Sequence, residues 1–271
     1  MKNISELLKS AEGNYDSELS YDYCISWWQN KLTESNYDYD SLLDNFRIIF
    51  TQSSNAIENI VIPYHTTRDI YEDKKISYGL MPTEVFAVRN QKLLFFQMIE
   101  DIRNKIQLSE NLIKHYHNIL LAGCYDDARW KKGERPGNYK IGDYIVGMTQ
   151  EGSAPDRVER DMRVLIDDVL NTDVKTDDDK LTASVYFHLA FEQIHAFADG
   201  NGRIGRAIMN YMLMSYNLPP TAIYAEDKDT YYIGLEVFDR SGQIDGFVQF
   251  IKEQTVKTWR KRILQDKNKL E

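Results

Sequence analysis

Hydrophobic residues recur at helical spacing along most of this chain. Apolar side chains three or four positions apart share one face of a helix, whereas a half-buried strand requires alternation. The first such pattern begins at 42–50, and others cover about 83–107, 109–122, 156–170, 179–195 and 244–264. We therefore predict a mostly α-helical fold. A further helix after position 203 is predicted to turn one apolar face inward, with Ile204, Ala207, Ile208 and Tyr211.

Three stretches depart from this pattern. Residues 133–151 are rich in Gly, with β-branched residues on both sides of Gly142, and indicate a short β-hairpin. Residues 171–180 carry a run of aspartates and are interpreted as a solvated loop, because the ligand order of an EF-hand is missing. The Tyr-rich first 40 residues, with Trp27 and Trp28, are interpreted as a helical extension packed on the core.

Composition and charge narrow the class of protein. The chain has 271 residues, enough to bury a large core, and its net charge of −9 argues against broad binding to nucleic acid or anionic lipid. Its two cysteines form no CxxC pair and indicate reduced thiols without a zinc site. Neither a signal peptide nor an apolar run of membrane length is apparent. We expect a cytoplasmic protein with no nucleic-acid partner and no membrane partner.

The stretch IHAFADGNGRIGRA at 194–207 concentrates reactive side chains between two predicted helices. His195 follows a helix end and can accept a proton from a hydroxyl near neutral pH. Asp199 is the kind of oxygen ligand that holds Mg²⁺ together with substrate phosphates. A single histidine or a Gly-Asn-Gly turn is commonly structural, so it is their combination within a short segment that indicates a site.

The second half of that stretch has features suited to an anion. The backbone N–H groups of Gly200, Asn201 and Gly202 can point into a concavity, because glycine tolerates positive φ. The next helix adds the positive end of its dipole, and Arg203 and Arg206 share one of its faces. Guanidinium groups match phosphate oxygens. A Walker A loop is absent, and a GxGxxG dinucleotide loop fits poorly because a helix precedes the glycines.

HAFADGNGRIGR resembles the signature of Fic-domain proteins, His-x-Phe-x-Asp/Glu-Gly-Asn-Gly-Arg-x-x-Arg, at all of its fixed positions. Ala196 stands where many members have Pro, a position that shapes the loop. Residues 111–123 resemble the family's helix before its flap, residues 134–148 the flap hairpin, and residues 217–236 the segment after the signature. The resemblance extends over about 40–255.

This resemblance implies a Fic-type helical bundle with a short β-hairpin flap. Its N-terminal helical region is expected at 1–105, its Fic core domain at 106–255 and the end of a C-terminal helix at 256–271. It further implies a protein adenylyltransferase that moves AMP from ATP, with Mg²⁺, to a Ser, Thr or Tyr hydroxyl of a target protein, including the enzyme itself.

The resemblance also assigns roles by position. His195 is the base, Asp199 holds Mg²⁺, Arg203 favours the departing diphosphate and Arg206 holds the γ-phosphate. Phosphate oxygens bind to the amides of Gly200, Asn201 and Gly202. The flap, with Val146, Gly147, Met148 and Thr149, pairs with the target segment. Tyr231 and Tyr232 lie near the nucleotide, and Asp239 stands where relatives often have Asn.

A second motif lies upstream, in TQSSNAIENI at 51–60. Ser54, Glu58 and Asn59 match the family's inhibitory Ser/Thr-x-x-x-Glu-Gly/Asn helix, expected at about 45–62. By this resemblance Glu58 pairs with Arg206 through two parallel hydrogen bonds and competes with the γ-phosphate. We expect an autoinhibited enzyme. Relatives with this brake often pair, so a homodimer is also expected.

Three alternatives stay open on the sequence. Relatives on the same scaffold transfer UMP, phosphocholine or a bare phosphate, although the intact Gly-Asn-Gly segment disfavours phosphate transfer. Glu58 could instead orient a water that removes AMP from a modified protein, and removal uses the same residues as transfer. A non-catalytic, nucleotide-responsive module of a toxin–antitoxin pair is disfavoured by the presence of His195 and Asp199.

Overall fold

The computed structural model describes residues 19–34, 39–74, 79–146, 149–150 and 152–268, with backbone alone at 145–146 and 149–150. Helices account for most of these residues, as predicted. They are α1 (Tyr21–Thr33), α2 (Tyr39–Ile57), α3 (Tyr64–Tyr71), α4 (Pro82–Arg103), α5 (Glu110–Leu121), α6 (Asp127–Lys131), α7 (Pro155–Asn171), α8 (Asp177–Ile194), α9 (Asn201–Ser215), α10 (Lys228–Ser241) and α11 (Asp245–Lys267). None of the helices in this part of the chain is both long and apolar enough to span a bilayer.

The helices predicted from periodicity are confirmed, with ends that differ by a few residues. The pattern did not predict α3, α6 or α10. α6 has five residues, too few to repeat a hydrophobic spacing. α10 buries only Tyr231 and Phe238, so its apolar face is narrow.

α9 lies at the centre of the molecule, where it packs against α2, α4, α5 and α8. Its residues from Arg203 to Met214 are all buried, including the positions outside the predicted apolar face. In a helix enclosed on every side, the side chains are apolar, or they are polar and hydrogen-bonded to neighbouring elements. Because α9 begins at Asn201, the enclosed part of the fold holds the 194–207 stretch in place.

The N-terminal extension packs on the core, as predicted, over its described part. Trp28 of α1 is buried, and its ring centroid lies 5.1 Å from that of Trp259 on α11. Phe46 of α2 stacks on the same Trp259 ring at 5.6 Å. One hydrophobic cluster thus runs from Leu19 to Ile263. α11 crosses position 255, and the domain boundaries stay a prediction.

The inhibitory motif does not lie wholly on a helix, contrary to expectation. α2 ends at Ile57 and not near residue 62. The Glu58 N–H donates to the Asn55 carbonyl at 3.0 Å, and Asn59 has φ 62°. Asn adopts this left-handed conformation more readily than most residues, and it ends a helix. Glu58 therefore lies in the terminal turn of α2.

The acidic stretch interpreted as a solvated loop is a loop only at 172–176; for the aspartates at 177–179 the interpretation was wrong, because they begin α8. The Thr176 hydroxyl accepts from the Asp179 N–H at 3.1 Å, while the Asp179 carboxylate accepts from the Thr176 N–H at 2.8 Å. This reciprocal pair is a capping box. The aspartates of the first turn also face the positive end of the α8 dipole.

The hairpin flap expected at 134–148 is not supported. Residues 133–144 form turns and irregular chain. In the described part of this region, antiparallel pairing is limited to two residue pairs, Ile145 with Gln150 and Val146 with Thr149, in β1 (Ile145–Val146) and β2 (Thr149–Gln150). So short a ladder is not stable by itself.

A buried carboxylate explains why residues 134–144 do not extend the ladder. Glu134 is 2% exposed and accepts from the N–H groups of Ile141 at 3.1 Å and Gly142 at 3.2 Å. It also accepts from the Tyr144 hydroxyl at 2.9 Å. These contacts use backbone donors that a strand would offer to its neighbour.

Candidate active site

The 194–207 stretch borders a cavity of about 1000 Å³. The cavity is lined by the start of α9, the terminal turn of α2, one face of α10 and the end of α8. The predicted site residues that line it are Glu58, His195, Asp199, Gly200, Asn201, Gly202, Arg206, Tyr231 and Tyr232. Ser54 and Arg203 are buried. The fold thus brings the upstream motif and the signature together.

His195 is placed in the cavity wall by the end of α8. It is the residue after Ile194, has φ 50° and ψ 59°, and its N–H donates to the Phe191 carbonyl at 3.0 Å. A left-handed conformation is costly for a residue with a side chain, so its neighbours must hold it. The Ser153 N–H donates to the Ile194 carbonyl at 2.9 Å, and the Lys140 N–H donates to the Ala196 carbonyl at 3.0 Å.

The loop between His195 and α9 is closed by its own asparagine. The Asn201 amide accepts from the Phe197 N–H at 2.9 Å and donates to the Phe197 carbonyl at 2.8 Å. Asn201 therefore has a structural function in its side chain besides its position at the start of α9. Gly200, with φ 80°, makes the turn, and a β-carbon there would lie 2.6 Å from Leu121.

His117 on α5 supports the same loop from below. Its ring stacks on Phe197 with centroids 3.7 Å apart. The Gly137 N–H donates to Nδ1 at 2.8 Å, so Nε2 carries the proton that it donates to the Asp199 carbonyl at 2.9 Å. Burial lowers the pKa of His117 to about 3, which keeps the ring neutral. Nothing in the sequence pattern marked this residue.

The Asp199 carboxylate faces the cavity between two arginines. Arg203 Nη2 lies 3.5 Å from Oδ1, and Arg129 Nη2 lies 3.9 Å from Oδ2. Arg129 also donates to the Ala198 carbonyl at 3.4 Å and lines the cavity. Arg129 was not predicted as a site residue, because it lies on the short α6 far from the signature. The basic segment at 129–135 was the available signal.

The terminal turn of α2 lies directly over the start of α9. A β-carbon at Gly202 would be 2.2 Å from Glu58 Oε1 and 3.0 Å from Arg206 Nη1. The glycine therefore leaves the space that the Glu58 carboxylate occupies. An anion at this position meets the positive end of the α9 dipole.

Arg206 is 1% exposed and is held from several sides. Nη2 donates to Glu58 Oε1 at 2.8 Å and to the Ser54 carbonyl at 2.9 Å, while Nε donates to the Ser54 hydroxyl at 3.1 Å. Nη1 donates to the Tyr231 hydroxyl at 3.2 Å. The expected pair of parallel hydrogen bonds to Glu58 is not present. Ser54 takes the second pair of contacts, because α2 brings its backbone close to the guanidinium.

The charge of Arg206 keeps Glu58 ionised. Burial by itself would raise the pKa of Glu58, but the neighbouring Arg206, with further contributions from Arg203 and His195, holds it below its usual range. A negative group therefore occupies the anion position next to Gly202.

Other residues predicted for the site are placed only in part. Val146 and Thr149 have described backbones, and Gly147 and Met148 lie outside the described residues. Tyr232 donates to the Ile57 carbonyl at 3.3 Å, so it contacts the end of α2 as well as the cavity. Asn59 is exposed and lies in the turn that follows α2. Asp239 lines the cavity beyond Tyr232.

Comparison with known proteins agrees with the predicted family. The Fic/DOC family model matches residues 107–213. A protein adenylyltransferase Fic of Nematostella vectensis is 29% identical over 214 residues, which cover 76% of this chain and 46% of that protein. This chain therefore spans less than half the length of that curated relative.

Solved structures share the fold. A Fic-domain-containing signalling protein from Bacteroides thetaiotaomicron has a TM-score of 0.76 at 20% identity, over 88% of this chain and 93% of its own. A Fic family protein from Desulfovibrio desulfuricans G20 has a TM-score of 0.71 at 26% identity, over 91% of this chain and 74% of its own.

Proposed function

We propose that the Fic/DOC-family domain carried by this chain transfers AMP from ATP to a Ser, Thr or Tyr hydroxyl of a protein. One observation carries the proposal: His195, the start of α9 and Arg206 line the same cavity. A proton acceptor and an anion site thus lie within reach of one bound nucleotide. The relatives named protein adenylyltransferase support AMP as the transferred group.

In the proposed reaction, His195 removes the proton of the target hydroxyl, whose oxygen attacks the α-phosphorus of ATP. A phosphorus–oxygen bond to the target forms, the bond to the β-phosphate oxygen breaks, and diphosphate leaves. Amides at the start of α9 bind phosphate oxygens, Arg203 favours the diphosphate and Arg206 holds the γ-phosphate. Such transfer depends mainly on positioning and charge neutralisation.

The donor set at Asp199 fits Mg²⁺. This ion is usually bound through one or two carboxylates and substrate phosphates, and not by a complete cage of protein ligands. Accordingly, no cluster of three His, Cys, Asp or Glu side chains suited to a metal is found among the described residues. Glu58, Asp161 and Glu192 also line the cavity, so a triphosphate needs added positive charge there. Bound at Asp199, Mg²⁺ would neutralise phosphate charge.

Glu58 is proposed to act as a brake. Its carboxylate takes both the space beside Gly202 and a hydrogen bond of Arg206, so it competes with the γ-phosphate for one place. Regulatory coupling of this kind is typically about 1–3 kcal/mol, a factor of roughly 5–150. Residues 146–149 are proposed to pair with the target backbone. Tyr231 and Tyr232 are proposed to contact the nucleoside.

The proposal is tested with the Glu58→Gly variant, in which the brake is removed. The protein is incubated with Mg²⁺ and each labelled nucleoside triphosphate in turn, and its intact mass is measured. We expect a gain of one AMP with ATP, and a larger labelled fraction than in the unmodified chain. A gain of UMP or of phosphate would replace the proposed donor or reaction, and no gain with any donor would refute self-modification.

His195→Ala in the Glu58→Gly background separates binding from chemistry. The imidazole is proposed as the base and not as a nucleotide ligand. ATP affinity should therefore remain within about threefold, while transfer is lost by a factor of roughly 10² or more. Transfer that persists in this double variant would remove His195 from the role of base.

Removal of AMP is a second candidate for the same site. The ionised Glu58 carboxylate lies in the cavity with His195, where it could orient a water towards a modified hydroxyl. The unmodified chain should then release AMP from a protein labelled by Glu58→Gly, and Glu58→Gly itself should not. Equal release by both proteins would exclude Glu58 from that reaction.

A further inference from the structure

Arg206 also has a hydrogen-bond partner outside α2 and its terminal turn. Its Nη1 donates to the Tyr231 hydroxyl on α10, whereas Nε and Nη2 donate to Ser54 and Glu58. Ser54 and Glu58 belong to the proposed brake. When Glu58 withdraws to admit a γ-phosphate, the contact with Tyr231 does not have to change.

Tyr231 is in turn held by a histidine with no role in the proposed chemistry. His188 Nε2 lies 2.9 Å from the Tyr231 hydroxyl, and the two rings stack with centroids 5.7 Å apart. His188 is completely buried on α8, and Tyr231 is 1% exposed. Tyr231 lines the cavity and His188 does not, so the tyrosine ring lies between His188 and the cavity.

The direction of the hydrogen bonds follows from Arg206. A guanidinium only donates, so the Tyr231 oxygen accepts from Nη1 and its own proton is left for His188. Burial and the nearby positive charge of Arg206 lower the pKa of His188 to about 3, so the ring is neutral and Nε2 is free to accept. The remaining ring proton is then on Nδ1, 4.0 Å from Glu192 Oε1.

Gly205, at a variable position of the signature, makes room for this arrangement. A β-carbon at Gly205 would lie 2.7 Å from Glu192 Oε1 and 2.9 Å from His188 Nδ1. Both groups therefore pack directly against α9, one turn from the cavity. The Tyr231 hydroxyl thus connects His188 to Arg206 through two hydrogen bonds, whereas Glu192 Oε1 lies beyond hydrogen-bond distance of His188 Nδ1.

We propose that His188 is a positioning residue for nucleotide transfer. Through the Tyr231 hydroxyl it holds the Arg206 guanidinium in the orientation that receives the γ-phosphate, independently of α2. This inference rests on the proposed function, which gives Arg206 the γ-phosphate. His188 itself touches neither nucleotide nor target.

The γ-phosphate provides a specific readout. Dissociation constants of ATP and of ADP, each with Mg²⁺, are measured by calorimetry in the Glu58→Gly background. Adding His188→Leu, which cannot accept a hydrogen bond, should weaken ATP about tenfold and leave ADP within twofold. Adding His188→Gln, which retains an acceptor, should restore most of the preference for ATP. A purely structural role would weaken both nucleotides together.

Two further variants make the outcomes separable. Tyr231→Phe keeps the ring and removes the hydroxyl, so it should reproduce His188→Leu even if the latter folds poorly. Arg206→Ala sets the limit for loss of the γ-phosphate contact. If Arg206→Ala abolishes the ATP preference while His188→Leu and Tyr231→Phe retain it, His188 has no positioning role and the proposed function stands. If Arg206→Ala leaves the preference intact, the proposed role of Arg206 fails, and this inference with it.

Discussion

Arg206 donates hydrogen bonds to three residues that come from two distant parts of the sequence. Ser54 and Glu58 approach it from α2 and Tyr231 approaches it from α10. Complete burial of a guanidinium is stabilising only when its donors are satisfied. An incoming γ-phosphate that moves Glu58 away must therefore itself accept the hydrogen bond from Arg206 Nη2.

Ser54→Ala should weaken the proposed brake. It leaves the Arg206 Nε donor without its hydroxyl acceptor in the inhibited state, while the Ser54 carbonyl and Glu58 remain. Hydrogen bonds to charged groups contribute about 1.5–3 kcal/mol, so self-labelling with ATP should rise about tenfold, less than with Glu58→Gly. The matched control is Ser53→Ala, a buried neighbour on the same helix, which should leave labelling unchanged. Equal labelling in both variants would contradict a brake role for the Ser54 hydroxyl.

Asn201→Asp should destabilise the loop before α9. The substitution replaces the amide that donates to the Phe197 carbonyl with an oxygen, so two acceptors would face each other in a buried site. We expect the free energy of unfolding to fall by about 2 kcal/mol, measured by urea denaturation. Asn118→Asp, an exposed position on α5, should change it by less than about 0.5 kcal/mol. Similar losses in both variants would contradict a stabilising role for the two hydrogen bonds between Asn201 and Phe197.

Among the secondary-structure elements, α5 and α8 position the loop that precedes α9. α8 ends at Ile194 and supplies His195, while α5 supplies His117 beneath Phe197. The backbone of Asp199 is thus fixed by a neighbouring helix, although its carboxylate faces the cavity. Because the Asp199 backbone is already held in place, its carboxylate loses little conformational entropy when it binds a cation.

His117→Leu should uncouple these elements. It removes the donor to the Asp199 carbonyl and the acceptor for the Gly137 N–H, both in a part-buried region. The free energy of unfolding should fall by roughly 2–4 kcal/mol, and the affinity for ATP with Mg²⁺ should fall with it. His115→Leu, exposed on the same helix, is the control and should alter neither quantity. An unchanged ATP affinity in a folded His117→Leu protein would argue against support of Asp199.

For the molecule as a whole, buried neutral histidines link stability to pH. The pKa of His188 is lowered to about 3 in the folded protein, against an ordinary value of about 6.5. Below pH 6.5 the unfolded chain takes up a proton that the folded protein refuses. The contribution of neutral His188 to the free energy of unfolding is therefore complete above pH 6.5 and is lost as the pH falls towards 3.

Denaturation at two pH values tests this linkage. Between pH 7 and pH 5, His188 alone should reduce the free energy of unfolding by about 2 kcal/mol, since each pH unit corresponds to about 1.4 kcal/mol. His188→Gln cannot titrate, so its loss over the same interval should be smaller by about that amount. Parallel losses in the two proteins would show that His188 also takes up a proton in the folded state.

Much of the fold was predictable because helix faces repeat within a few residues. The long amphipathic helices, the end of α8 before His195 and the family signature are all local patterns. The sequence-based predictions were wrong where the same local pattern is compatible with two different structures. The aspartates at 177–179 suit solvent and equally suit the first turn of a helix. The Gly-rich residues near 142 are compatible with a hairpin. In the structure, however, their backbone N–H groups donate to the buried Glu134 carboxylate.

The amino-acid sequence by itself determined the helical class, the composition of the signature and the identity of the upstream motif. Only the tertiary structure decided that Glu58 accepts one hydrogen bond from Arg206 and not the expected pair, that Ser54 accepts from the same guanidinium, and that His188 and His117 support the site from outside the cavity. The reason is physical. Spacing along a helix specifies which residues share a face, but contacts between residues 43 to 152 positions apart depend on how whole helices pack around α9.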